Sequence, residues 1–173
     1  DDSGWHPPED PLMNELYGLH VDWDADFLYL GVNGQVQGNS WILYLDTDPD
    51  GPDGETDLTA IDAWERGATF TASGFAADFQ YGCYQHQGAF DSDSFFSIDS
   101  PTTTTALTDS MISAFDSNHI YGVDGGSEIA LPWHVLYGLG PGQVPANAEL
   151  SLVASICWYP EPDGELGGDS APS

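Results

Sequence analysis

Six carboxylates fall within twelve consecutive residues, Asp46-Thr-Asp-Pro-Asp-Gly-Pro-Asp-Gly-Glu-Thr-Asp57. Oxygen-only donor sets at this density suit a hard divalent cation, and the spacing can be laid on a twelve-residue calcium loop. Asp46, Asp48 and Asp50 then take positions 1, 3 and 5, Gly51 takes the turning position 6, and Asp57 closes the loop. Pro52 falls where the template uses a backbone carbonyl, which proline keeps. The loop departs from the template in closing with Asp in place of Glu, and in carrying Asp53 where an apolar residue is usual. Its flanks read as strands, so the expectation is a calcium loop on a β scaffold. The alternative is a solvated acidic turn rich in Pro and Gly.

The elements that must position this loop are read from hydrophobic periodicity. Leu28, Leu30 and Val32 share one face of the run Phe27–Val32 while Phe27 and Tyr29 share the other, the period-2 pattern of a strand. Similar runs are expected as strands at Leu16–Trp23, Trp41–Leu45, Leu58–Trp64, Ala68–Ala72, Asp78–His86, Phe95–Ile98, Met111–Phe115, Glu128–Leu131 and Leu150–Trp158. Only Pro132–Tyr137 reads as a helix, with proline at its first position and Gly138 to stop it. The tract from Pro101 to Thr105 is expected as a loop or an exposed edge. Many short strands separated by turn signals predict an all-β, antiparallel jelly-roll or immunoglobulin-like β-sandwich with one short helix. Residues 1–15 are expected as an irregular arm, 16–160 as the sandwich, and 161–173 as a surface tail or linker.

Composition narrows the partners. The chain has 29 Asp plus Glu, a single basic residue, Arg66, and a formal net charge of −28. Nothing is available to neutralise phosphates, so nucleic acid is excluded as an expected partner, and anionic membrane surfaces with it. No run approaches the ~18 apolar residues of a membrane span. With 40% hydrophobic and 13% aromatic residues, the chain has the means to build a core despite its acidity. Two accounts of that acidity stand side by side: a salt-rich habitat, and an extracellular protein loaded with calcium. The chain starts at Asp1 without an initiator Met, and a mature, secreted or cell-surface product is expected. Cys83 and Cys157 lie on strand-like runs. A disulfide between them suits an oxidising exterior, and two buried free thiols are the alternative.

Catalytic constellations are not expected. Ser, His and Asp occur without a nucleophile elbow, Ser127-Glu128 and His134 read as structural, and there is no Lys for a Schiff base. A non-enzyme is therefore expected. Trp64, Tyr81, Tyr84 and His86 are the candidate ligand contacts, since rings stack on sugar faces while polar groups bind hydroxyls. Asp22, Asp24 and Asp26, and Asp163 with Asp169, are candidate further cation sites.

The ordered blocks DADFLYLGVNG, SWILYLDTDPDGPDGETDLTAIDAW, ADFQYGCYQHQG, GGSEIALPW and DGELGGDSAP resemble DOMON-like and family 9 carbohydrate-binding-module-like β-sandwiches of secreted proteins. The resemblance spans most of residues 16–172 and implies an extracellular sandwich with calcium sites and, often, sugar binding. DOMON domains that carry haem use Met and His ligands; Met13, Met111 and the five histidines show no spacing that pairs them. The expected function is thus a calcium-binding, non-catalytic module for polysaccharide. The alternative is a structural subunit that joins copies of itself into a calcium-stabilised extracellular filament, tube or surface layer.

Overall fold

The computed structural model describes residues 15–35, 39–61, 68–71, 74–86, 89–115, 126–158 and 166–171. Ten strands, one 3-10 turn and one helical turn make up the described elements. In chain order the strands are β1 (Glu15–Trp23), β2 (Phe27–Gln35), β3 (Asn39–Asp46), β4 (Phe79–His86) and β5 (Ala89–Ser100). They continue with β6 (Thr103–Ala106), β7 (Ile112–Phe115), β8 (Gly126–Pro132), β9 (Ser151–Trp158) and β10 (Leu166–Ala171). The helix α1 (Trp133–Leu136) follows β8 directly. A four-stranded sheet runs β1-β2-β8-β7 and a six-stranded sheet runs β10-β9-β3-β4-β5-β6, with every pairing antiparallel. This is the all-β sandwich with one short helix that the periodicity predicts.

Alternation places the core. Leu28, Leu30 and Val32 of β2 and Ile129 and Leu131 of β8 meet Trp41, Leu43 and Leu45 of β3, Tyr81 of β4, Phe95 of β5 and Ile156 of β9 in one buried cluster. The other face of β3 is buried too. Ile42 and Tyr44 join Ile98 in a second cluster with Leu58, Ile61, Ala68, Phe75 and Ala77. The described apolar residues between β3 and β4 therefore lie over the outer face of the six-stranded sheet. This explains why β3 reads Trp-Ile-Leu-Tyr-Leu, an unbroken apolar run, since a strand covered on both faces need not alternate.

The same covering layer corrects two expected strands. Leu58–Trp64 and Ala68–Ala72 form no strand among the described residues. They contribute one isolated bridge, Asp57 to Thr69, and a tight turn in which Ile61 N–H donates to the Leu58 carbonyl. Their apolar residues are buried because they cap a sheet face, a pattern that periodicity alone confuses with a strand. Pro132 stands at the N-cap of α1, one residue before the expected position, and Gly138 follows the helix at φ 60°. Thr103–Ala106 is an edge strand, one of the two readings given to the threonine tract. Leu166–Ala171, expected in a surface tail, pairs with β9 at the sheet's other edge. Of the arm expected over residues 1–15, residues 1–14 lie outside the described residues and Glu15 begins β1.

The disulfide is overturned. Cys83 pairs with Trp41 and Cys157 with Ser40, so β3 runs between the two cysteines. Two strand spacings put their Cα atoms roughly 9.5 Å apart, beyond the ~7 Å that a disulfide can bridge. Cys83 is a free thiol, buried in the core, and burial pushes its pKa up to about 12. Alkylation without reductant is expected to leave Cys83 unmodified in the native protein and to label it fully once the chain is unfolded. A Cys83 that stays blocked until a reductant is added would contradict this register.

Candidate metal centre

The site forms where the covering excursion leaves and rejoins the sheet. Leu45 pairs with Phe79, so the next residues outward, Asp46 and Asp78, stand opposite each other at the ends of β3 and β4. Like charges in this cross-strand position repel. Asp48 completes the group: one carboxylate oxygen from each of Asp46, Asp48 and Asp78 lies within 4.8 Å of the others. Fully ionised, each pair at that distance costs roughly 3 kcal/mol at an effective dielectric of about 20. Asp46 is only 1% exposed, so water does little to relieve it.

Each carboxylate is held by a defined set of donors. Asp46 Oδ1 accepts the Asp48 N–H at 3.1 Å and Oδ2 accepts the Ala76 N–H at 3.0 Å. Asp78 Oδ2 accepts both the N–H and the hydroxyl of Thr47, at 2.7 and 2.6 Å. Asp48 Oδ2 accepts a long bond from Asp53 N–H at 3.4 Å, while Asp48 Oδ1 is buried with no hydrogen-bond partner at all. Burial raises the pKa of Asp78 first of all. Thr47 opposes this with its two hydrogen bonds, and Asp48 and Asp46 add to the rise.

The loop's shape follows from its small residues. Asp50 takes the left-handed conformation at φ 64°, which Asp tolerates better than most side chains. The sharp turn thus falls on Asp50, one residue before the expected Gly51. Gly51 is required for another reason: a Cβ there would lie 2.0 Å from Asp48 Oδ2. Gly74 is favoured by its own left-handed conformation, φ 84°, and a Cβ there would also crowd the Asp50 carboxylate. Residues 74–77 form the opposing wall, bonded to the loop through Asp50 N–H to Gly74 C=O and through the reciprocal pair Glu55–Ala77. The resulting cavity, about 280 Å³, is lined by Asp46, Asp48, Asp50, Asp53, Thr56 and the Gly74–Ala76 wall.

Of the expected ligands, Asp46, Asp48 and Asp50 are brought to this cavity, whereas Pro52 and Asp57 do not line it. The Asp57 carboxylate is taken by the N–H and hydroxyl of Thr59, at 3.0 and 2.6 Å, which lower its pKa. Asp78 was not among the expected ligands. Its only sequence signal is an acid at the head of a strand, and the long connection from β3 hides that it faces Asp46. The Asp22/Asp24/Asp26 triplet serves the β1–β2 turn instead. Asp24 Oδ1 accepts the N–H groups of Asp26 and Phe27 at 2.7 and 2.8 Å, and Oδ2 accepts the Tyr29 hydroxyl at 2.8 Å. Tyr81, expected as a ligand contact, is a core residue, 1% exposed, with its ring centroid 5.0 Å from that of Trp41. Trp64, Arg66 and Asp163 lie outside the described residues, as do the side chains of Tyr84, His86 and Asp169.

The donors present fit a hard divalent cation. All are oxygens, one of them buried and unpartnered, and their charge has no described counter-ion. No known protein family, characterised protein or solved structure matches the chain.

The pKa directions give a signed expectation for the cation-free protein. Between the ordinary carboxylate pKa and the raised pKa of Asp78, the folded state binds more protons than the unfolded one. Stability from this group therefore rises as pH falls through that window. Asp24, Asp57 and Asp99, whose pKa values are lowered by hydrogen bonds, act the other way: their contribution is present above pH 3.8 and lost as pH falls through their folded values. In chelator, melting temperature against pH is expected to peak in the mildly acid range. Asp78→Asn is expected to raise the melting temperature at neutral pH in chelator, yet to remove the rise that a divalent cation produces. A variant less stable than the parent in chelator would contradict the repulsive reading of the site.

Proposed function

We propose that this chain is a calcium-stabilised, extracellular β-sandwich acting as a non-catalytic binding module, with carbohydrate as its ligand class. The observation that carries the cation part is the buried, unpartnered Asp48 Oδ1, on a carboxylate that groups with those of Asp46 and Asp78 and lines a cavity with Asp46 and Asp50. Calcium is favoured over magnesium because the ligands come from a loop and a strand end with irregular geometry, which a flexible six-to-eight-coordinate ion tolerates. An exterior with millimolar calcium would keep such a site loaded. The non-catalytic reading is supported by the structural use of several described carboxylates, in the cation cluster and in local hydrogen bonds to Asp24, Asp57 and Asp99. Carbohydrate rests on the resemblance to sugar-binding sandwiches.

One observation favours the structural-subunit reading as well. β1 is an edge of the four-stranded sheet, nine residues long, and it exposes Val21 at 46% and Trp23 at 66%. It holds no Lys or Pro to blunt that edge. Copies carrying −28 each would need cations to pair there.

Calcium added to the chelated protein is expected to raise its stability by about 2.7 kcal/mol at a hundredfold excess over Kd. Asp48→Asn is expected to lose that gain. Sedimentation in chelator and then in calcium separates the two readings. A compact monomer retained on polysaccharide supports the binding module, while growth into large species supports the subunit. A Tm indifferent to calcium in the parent protein would remove the cation from both.

A further inference from the structure

A second cavity, about 470 Å³, lies across the four-stranded sheet, on the opposite side of the sandwich from the cation cluster. It falls within the ~300–1,000 Å³ of typical small-ligand sites. The register lays one row of residues across all four strands: His20 opposite Gly31, Gly31 opposite Glu128, Glu128 opposite Ala114. The neighbouring row is Gly18, Asn33 and Gly126. Glu128 is exposed between buried Ser127 and Ile129, so this row faces solvent.

Glycine in a strand interior weakens the strand and often marks a place where another molecule approaches the backbone. Gly18 has an internal reason, since a Cβ there would lie 2.6 Å from Asn33 Oδ1. Gly31 has none. Its φ is not positive, and a Cβ would meet only His20 Cβ at 3.6 Å and the Ser127 carbonyl at 3.8 Å, ordinary contacts. Neither conformation nor packing demands glycine at 31, yet its bare backbone forms the cavity floor.

The walls are polar and pre-set. His20 Nε2 and Asn33 Oδ1 are 3.1 Å apart. With the His20 ring donating from Nε2 to Asn33 Oδ1, the Asn33 amide NH₂ is left as a donor to a ligand. Glu128 supplies two acceptor oxygens, and Phe115, half-buried, supplies an apolar flank. Carboxylate acceptors, an amide donor and a flat floor match a sugar ring, with hydroxyls at its edge and an apolar face. No Lys or Arg is among the described residues that line the groove, and the chain carries −28, which disfavours an anionic sugar. A lone carboxylate beside a hydrogen-bonded imidazole–amide pair gives a cation no better seat than the acid-rich loop does.

We propose that this groove binds a neutral sugar unit, with Glu128, His20 and Asn33 addressing its hydroxyls and Gly31 admitting its ring. The proposal rests on the carbohydrate reading above and gives a binding role to Glu128, which the sequence reads as structural. The test is titration of the calcium-loaded protein with cello-, xylo- and manno-oligosaccharides, followed by backbone amide shifts. The parent protein is expected to bind at least one, with shifts centred on residues 18–20, 31–33, 114–115 and 126–128. Gly31→Leu, which fills the floor, and Glu128→Gln are each expected to weaken binding about tenfold or more, with the calcium-dependent melting temperature unchanged. Should Gly31→Leu fail to fold, Glu128→Gln decides. Sugar binding that both variants retain, with shifts elsewhere, overturns the groove and leaves the carbohydrate reading standing. A parent protein that binds none of the sugars overturns both. Salt-sensitive binding of spermidine in the groove, without sugar, overturns the neutral-ligand assignment.

Discussion

The mutual repulsion of Asp46, Asp48 and Asp78 is set by the sheet itself, because the β3–β4 register brings two strand-end carboxylates face to face. Between those two residues the chain leaves the sheet, packs Leu58, Ile61, Ala68 and Phe75 over its outer face, and returns. Whatever neutralises the cluster therefore closes both ends of that excursion at once. A proton on Asp78 can relieve one charge, but it leaves Asp48 Oδ1 buried and unpartnered. A divalent cation satisfies all three carboxylates together, which is why the cation, and not a proton, is the better partner for this geometry.

That layer also determines how β3 is built. A central strand covered on one side by β2 and β8 and on the other by Leu58, Phe75 and Ala77 can be apolar throughout. Trp41 to Leu45 are all buried, so β3 tolerates a polar substitution at none of five consecutive positions. The acidic loop begins at the first residue after this run. Solubility and core thus meet without a transition, and Asp46, at 1% exposure, stands on the core side of the boundary.

Strand positions were legible where alternation or an apolar run was strong, as in β2, β3 and β9. Long-range pairing was not. Asp46, Asp48 and Asp50 were readable because they are local and evenly spaced. Asp78 was not, because its place depends on the β3–β4 register across residues 47–77. Asp57 illustrates the opposite failure: it fits the template's last position, but Thr59 lies two residues on and its hydroxyl and N–H capture the carboxylate first. Leu58 and Ala68 were taken for strand residues for a similar reason. Their burial comes from covering a sheet, which leaves the same apolar signature as belonging to one.

A chain with one basic residue must stabilise its carboxylates by other means, and the structure shows which. Backbone N–H groups and hydroxyls replace the missing cations: Asp24 draws on Asp26, Phe27 and Tyr29, Asp57 on Thr59, and Asp99 on the hydroxyls of Ser97 and Thr105. Such donors come free at turns and edges, where the backbone has N–H groups to spare. Inside the covering layer they run short, and Asp48 Oδ1 is left over. The two candidate sites differ in just this respect. At the cation cluster, acceptors outnumber donors and the deficit calls for a metal ion. On the opposite face, His20 and Asn33 bring donor and acceptor into balance beside a single carboxylate, and that balance suits a ligand made of hydroxyls. Because the sandwich core separates the two faces, the acidic cluster and the groove share no residue.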